Sequence, residues 1–236
     1  MSQNTQNPFK YYSQMIWRSL RNLKARLLLA RFKSPEEIFT SYYSKNHWKG
    51  GGDTTTCGSG STEENTANIR TQLPILASKY NIESILDAPC GDFAWFQLIS
   101  RNENFRYIGG DIVQSMIENN RRQYENSYTK FAHLNITNDR LPDADIWLCR
   151  DCLFHLSNKD IFRALHNFIN SNINYLLVTN HSDCEQNTDI PTGHYRSVNL
   201  TREPFNFPEP LESMEDSQGK VLALWNKKTL SDLDRF

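Results

Sequence analysis

Asp87 closes the short apolar run Ser84-Ile85-Leu86, and the turn Ala88-Pro89-Cys90-Gly91-Asp92 follows it directly. A strand that stops on a carboxylate and then turns on a proline and a glycine sets that acid at the C-terminal edge of a parallel sheet. Several backbone N–H groups come with it. Nucleotide-like ligands bind there in open α/β sheets. Asp111 ends a second apolar run, residues 105–111, about twenty residues beyond Gly91, the spacing at which an acid reaches ribose hydroxyls. A dinucleotide turn needs three glycines so that backbone can approach a pyrophosphate, and this turn has Gly91 alone. Asp87 and Asp92 would repel a pyrophosphate and attract a ligand bearing an ammonium and a sulfonium group.

Two further clusters carry groups able to move protons. Arg150-Asp151-Cys152-Leu153-Phe154-His155 follows the apolar run 145–149. Asp151 and His155 are candidates to take a proton from an attacking hydroxyl. Asp151 could instead orient a reactant, and His155 could simply wall a pocket. After a fifth run, residues 175–179, come Asn180, His181 and Asp183, then Asn187, Asp189, His194, Tyr195, Arg196 and Asn199. His181 is a third candidate catalytic residue. Asn180 and Arg196 are candidate substrate contacts, Arg196 being suited to a carboxylate or phosphate. The plainer reading of this stretch is an exposed irregular loop. Asp151, His181 and Asp183 together could hold a divalent cation, but three scattered ligands do not define a site. Cys149 and Cys152 lack a second pair at zinc spacing, so no metal is expected.

Alternating strand and helix patterns must position these groups. From Ser84 onward the strand-like runs are 84–87, 105–111, 130–136, 145–149 and 175–179, with a late one at 221–225. Such alternation predicts an α/β fold with a mainly parallel sheet. A helix is expected from Phe93, another from Glu63 with a break or a second helix start at Pro74, and a third capped by Ser157-Asn158-Lys159-Asp160. Residues 1–33 read as a basic amphipathic N-terminal helix, with Leu20, Leu23, Leu27 and Leu28 at helical spacing among Arg18, Arg21, Lys24, Arg26 and Arg31. It would pack on the core or a second subunit, or contact an anionic membrane surface. Residues 34–62 combine Gly50-Gly51-Gly52 with Tyr42, Tyr43 and Trp48, either a lid over the site or a linker. Residues 63–236 form the main domain.

The net charge of −1 over 236 residues excludes a general electrostatic footprint for nucleic acid. Five cysteines in no regular framework point to a reducing compartment. With no transmembrane run and no signal-peptide core, the expected location is cytoplasmic, with membrane association through the N-terminal helix as the open variant.

The segment Leu86-Asp87-Ala88-Pro89-Cys90-Gly91-Asp92 resembles the first motif of class I S-adenosylmethionine-dependent methyltransferases, and the resemblance runs from about Ile82 through Thr179. It departs from the commonest motif, in which a glycine stands at Pro89 and another follows Gly91. The resemblance implies a Rossmann-like, mainly parallel seven-stranded sheet with helices on both faces, ending in an antiparallel hairpin to which residues 221–225 would belong. It implies S-adenosylmethionine as cofactor, held by Asp87, Ala88, Pro89, Gly91, Asp92, Asp111, Ile112, Asn135 and Arg150. Asn135 would meet the adenine amino group, or else serves only as a turn residue. Together, Gly58-Ser59-Gly60-Ser61, Asp87 to Trp95, Arg150 to Leu156, and Arg196-Ser197-Val198-Asn199-Leu200 are similar to a little-characterised bacterial group whose members often accompany glycan-building enzymes. That implies O-methylation of a small-molecule or glycan-linked acceptor. The rival readings are a non-catalytic nucleoside-binding module and a nicotinamide-dependent oxidoreductase.

Overall fold

The computed structural model describes residues 20, 22–25, 27–48 and 55–231. Most of the expected N-terminal helix and the glycine run at 49–54 lie outside the described residues. In chain order the elements are α1 (Pro35–Ser44), α2 (Ala67–Lys79), β1 (Ser84–Asp87), β2 (Arg106–Asp111), α3 (Gln114–Tyr124) and β3 (Thr129–His133). Then come β4 (Ile146–Cys149), α4 (Asn158–Ile169), β5 (Tyr175–Asn180), β6 (Glu212–Glu215), β7 (Val221–Asn226) and the short α5 (Lys227–Ser231).

The seven strands form one sheet in the order β3-β2-β1-β4-β5-β7-β6. β1 to β5 pair in parallel. β7 runs antiparallel to both β5 and β6, so the sheet is mixed, with the hairpin at one edge. β1 and β4 are buried at every position, as strands covered on both faces must be. Their side chains alternate between two cores. Ile85, Ile146, Leu148 and Leu177 pack with Ile69, Leu73 and Leu76 of α2 and Ile117 of α3. Leu86, Trp147, Cys149 and Leu176 pack with Ile161, Leu165 and Phe168 of α4. Helices therefore cover both faces.

The α4 start follows its sequence signal: Ser157 Oγ accepts from Asp160 N at 3.2 Å, satisfying one free amide of the first turn. Two expectations fail. α2 begins at Ala67 and runs through Pro74 without a break. Pro74 is exposed, so its ring meets water rather than the core. No α-helix starts at Phe93 either. That residue takes φ +61°, and turns lead into a 3₁₀ helix over Phe96–Leu98. Phe93, Trp95 and Phe96 are all buried in the one cluster that also holds Tyr107 and Phe131, and a regular helix could not point three aromatics so closely spaced at one core. No helix among the described residues is long and apolar enough to cross a membrane.

Candidate functional site

The strand order reverses between β1 and β4, which sends later strands to opposite sides and opens a crevice at their C-terminal ends. A cavity of about 350 Å³ lies there. The turn after β1 is fixed from both sides: Ala88 N donates to Leu148 O at 3.0 Å and Cys90 N to Gly110 O at 2.8 Å. Trp147 Nε1 adds a bond to Ala88 O at 2.8 Å. Asp87, Pro89 and Gly91 line the cavity, whereas Ala88 is fully buried behind it.

Asp111 Oδ2 accepts from Gly91 N at 3.1 Å and Oδ1 from Val113 N at 2.9 Å. A carboxylate keeps further lone pairs for hydroxyl donors after two such bonds. Burial pushes the Asp111 carboxyl up to about 6, with those backbone bonds pulling the other way. Burial likewise pushes Asp87 up to about 7, against the Tyr107 hydroxyl that donates to it at 2.8 Å. Neither acid has an ion-pair partner among the described residues. Beside Asp111 the wall is Ile112, Val113, Met116 and Leu134, then Asn135. Asn135 Oδ1 accepts from Thr137 N and Oγ1 at 3.0 and 2.8 Å, so it is a turn residue. Its Nδ2 makes no hydrogen bond among the described residues and remains available to a ligand.

A strap over residues 55–61 covers this end. Asp92 lies outside the cavity wall and anchors the strap, its Oδ2 accepting from Thr55 Oγ1, Thr56 N and Thr56 Oγ1 at 2.8, 2.6 and 3.0 Å. Gly91 has φ +57°, and a Cβ there would stand 2.7 Å from Cys57 Sγ. The strap thus demands glycine at the point where it crosses the turn.

At the end of β4 the charges neutralise one another. Asp151 Oδ1 accepts from Lys220 Nζ at 2.7 Å, and Arg150 Nη1 lies 3.5 Å from Oδ2. Arg150 Nε and Nη2 bind both oxygens of Asp216 at 3.0 and 2.9 Å, and Nη2 also reaches Gly60 O at 2.7 Å. Burial alone would raise Asp151, but Arg150 and Lys220 together hold it below the usual carboxylate range. It is a weak base. His155 differs. Its Nδ1 lies 2.9 Å from the His194 carbonyl oxygen, an acceptor, so Nδ1 carries the hydrogen and Nε2 the lone pair. Nε2 makes no hydrogen bond among the described residues. Burial holds the imidazolium down at about 4, so the ring is neutral at pH 7. Phe39, Trp48, Phe154 and Tyr195 surround this end of the cavity.

The remaining candidates sit elsewhere. His181 is buried behind Phe154, ring centroids 5.3 Å apart, with Nδ1 on the Val198 backbone. Asn180 Oδ1 accepts from Leu200 N at 2.7 Å. Arg196 donates to Thr188 O, Leu153 O and Asn158 Oδ1. These three hold the 181–207 loop together rather than line the cavity. Among the described residues no group of three or more His, Cys, Asp or Glu is arranged to hold a metal ion. Sequence reasoning missed Lys220 and Asp216, which arrive from the hairpin with no local signal, and Phe39, whose wall position depends on how α1 docks.

Residues 85–171 match a family model described as a methyltransferase domain. No curated protein matches the chain. Among solved structures, the N-methyltransferase NodS from Bradyrhizobium japonicum WM9 in complex with S-adenosyl-l-homocysteine is 15% identical with a TM-score of 0.54. That match covers 78% of this chain and 97% of that one. Human N-acetylserotonin methyltransferase in complex with SAM is 13% identical with a TM-score of 0.51, covering 91% and 68%. The [4+2]-cyclase SpnF is 14% identical with a TM-score of 0.53, covering 78% and 76%. At such identities the likeness shows a shared fold, and a cyclase on that fold shows that the fold alone does not set the reaction. The donor set does fit S-adenosylmethionine: two buried acids with no cation in contact suit a cationic nucleoside, Asp111 suits its ribose, and the apolar wall beside Asn135 suits a flat base. The ligand would supply an electrophilic methyl carbon on its sulfonium.

Proposed function

We propose that this methyltransferase, whose cofactor is S-adenosylmethionine, methylates a hydroxyl oxygen of a small-molecule or glycan-linked acceptor. The observation that carries the reading is His155. A neutral imidazole whose tautomer is fixed by the His194 carbonyl presents a lone pair at Nε2, and the ring forms part of the cavity wall. Nε2 takes the proton that a hydroxyl acceptor must lose. The aromatic rings of Trp48, Phe154 and Tyr195 favour a ring-shaped acceptor, whether aromatic or the apolar face of a sugar. Both cations at the β4 end are already paired with Asp151 and Asp216, and Arg196 faces away, which favours an uncharged acceptor. Asp151, in this reading, anchors Lys220 and the strap rather than taking the proton.

The strap 55–61 and α1 act as the lid. Asp92 and Arg150 hold the strap at its two ends, and closure excludes water from the reacting groups.

The test is methyl incorporation from labelled S-adenosylmethionine into a panel of phenolic and sugar hydroxyl acceptors. With the acceptor found, His155→Ala should lower turnover by about 10²–10⁴-fold. S-adenosylhomocysteine affinity should not change. The acid limb of the rate should fall well below pH 6.5, since the folded protein keeps His155 neutral down to about 4. A near-normal rate in His155→Ala would remove the base role. Labelling of amines alone would remove the hydroxyl acceptor.

A further inference from the structure

We infer that the N-terminal stretch docks this protein on an anionic membrane surface, its leucines entering the headgroup layer. An appended helix ordinarily turns its apolar stripe to the domain it packs on. Here four of the five leucines from Leu20 to Leu29 turn away from it. Residues 20, 22–25 and 27–29 are helical, and Leu20, Leu23, Leu27 and Leu28 are 58%, 55%, 70% and 57% exposed. The side facing the domain carries Ala25, which is buried, Asn22, whose Nδ2 donates to Asp189 O at 3.0 Å, and a single leucine, Leu29, whose Cδ2 packs beside Gly193. The stripe is therefore presented outward by a helix that is itself fastened down.

Charge selects the occupant. The first 35 residues hold seven Lys and Arg and no Asp or Glu, while the rest of the chain holds nineteen basic residues against 27 acidic ones. The basic charge is concentrated where the leucines are. Lys24, Arg31 and Lys33 are exposed. A second copy of the chain laid stripe to stripe would set one basic stretch against another, which repels. An anionic lipid layer meets both features, since apolar side chains enter it and basic ones bind its headgroups. Residues 1–19 of the sequence add Phe9, Tyr11, Tyr12 and Trp17 beside Lys10 and Arg18, residue types that favour the membrane–water interface.

The stretch also joins the catalytic end. Asn22 holds the loop at Asp189, and four residues on, Gly193 N donates to His155 O at 2.8 Å. Docking would bring the protein to lipid-linked acceptors, a consequence that rests on the function proposed above.

The experiment is flotation of the full chain with phosphatidylcholine vesicles, with and without phosphatidylglycerol, at low and high salt. Binding should require phosphatidylglycerol and weaken with salt. Leu23→Asp/Leu27→Asp and, separately, Lys24→Glu/Arg26→Glu should each lower vesicle binding at least about tenfold, with S-adenosylhomocysteine affinity unchanged as proof of folding. Equal flotation with both vesicle types, or none, overturns the inference. So does concentration-dependent dimerisation that Leu23→Asp/Leu27→Asp abolishes. Failure of the wild type to bind S-adenosylhomocysteine would count against methyl transfer and leave the docking result intact.

Discussion

The acids on the two sides of the cavity live under different electrostatic regimes. At the end of β4, Asp151 sits between Lys220 and Arg150, and Arg150 is clasped by Asp216. At the ends of β1 and β2, Asp87 and Asp111 are buried with hydrogen bonds but no cation in contact. Burial raises all three acids, and only Asp151 has enough positive charge beside it to finish below the ordinary range. A site that neutralises itself is part of the scaffold. A site that leaves two carboxyls near neutrality is short of a positive charge, and a ligand bearing a sulfonium and an ammonium supplies it.

Breaking the compensated side should have the largest effect. Asp216 is fully buried and Arg150 nearly so, their side chains being 0% and 4% exposed. Asp216→Ala leaves a guanidinium without its bidentate partner, and removing one member of a buried pair costs roughly 3–5 kcal/mol. Urea unfolding of the ligand-free protein measures it. Asp87→Asn is the matching change on the uncompensated side. It removes a carboxyl that the fold already disfavours as an anion, so stability above pH 7 should hold or rise. Two losses of similar size would erase the contrast.

Asp111→Ala should come next. The carboxylate is tied by Gly91 N and Val113 N and faces the cavity. Loss of charge-assisted bonds to ribose hydroxyls should weaken S-adenosylhomocysteine by about 1.5–3 kcal/mol, roughly tenfold to a hundredfold. Calorimetry decides it, and unchanged affinity would detach Asp111 from the ribose.

The uncompensated side was legible in the sequence and the compensated side was not. Asp87 and Asp111 each close a short apolar run, and a local run announces both the strand and its end. The network at β4 needs Asp216 and Lys220, sixty-six and sixty-nine residues beyond their partners. Only the antiparallel placement of β7 beside β5 brings them home. The dense polar stretch from Asn180 to Arg196 suggested a substrate wall. Instead Asn180, Arg196 and Asn199 are buried and satisfy the backbone of an irregular loop, a task that falls to such side chains where no ladder supplies partners. Polarity in sequence does not distinguish a group facing a ligand from one facing a stray carbonyl. The helix expected from Phe93 failed for the converse reason, because tertiary packing of three aromatics overrode local pattern.

The smallest effect follows from the Asp87 carboxyl itself. Its folded value of about 7 lies above the ordinary 3.8. The ligand-free fold therefore gains stability from the neutral form at low pH and loses it as pH rises through about 7. A cationic ligand prefers the ionised form, so its affinity must move the opposite way. From about pH 6.5 to about pH 8 the ionised share of a group titrating near 7 rises about fourfold, and cofactor affinity should rise by that factor with release of a proton. Calorimetry of S-adenosylmethionine in buffers of different ionisation enthalpy reads both quantities. In Asp87→Asn the pH dependence and the released proton should disappear together. A proton release that survives the substitution would move the titration to Asp111, whose raised value of about 6 would then place the rise about one pH unit lower.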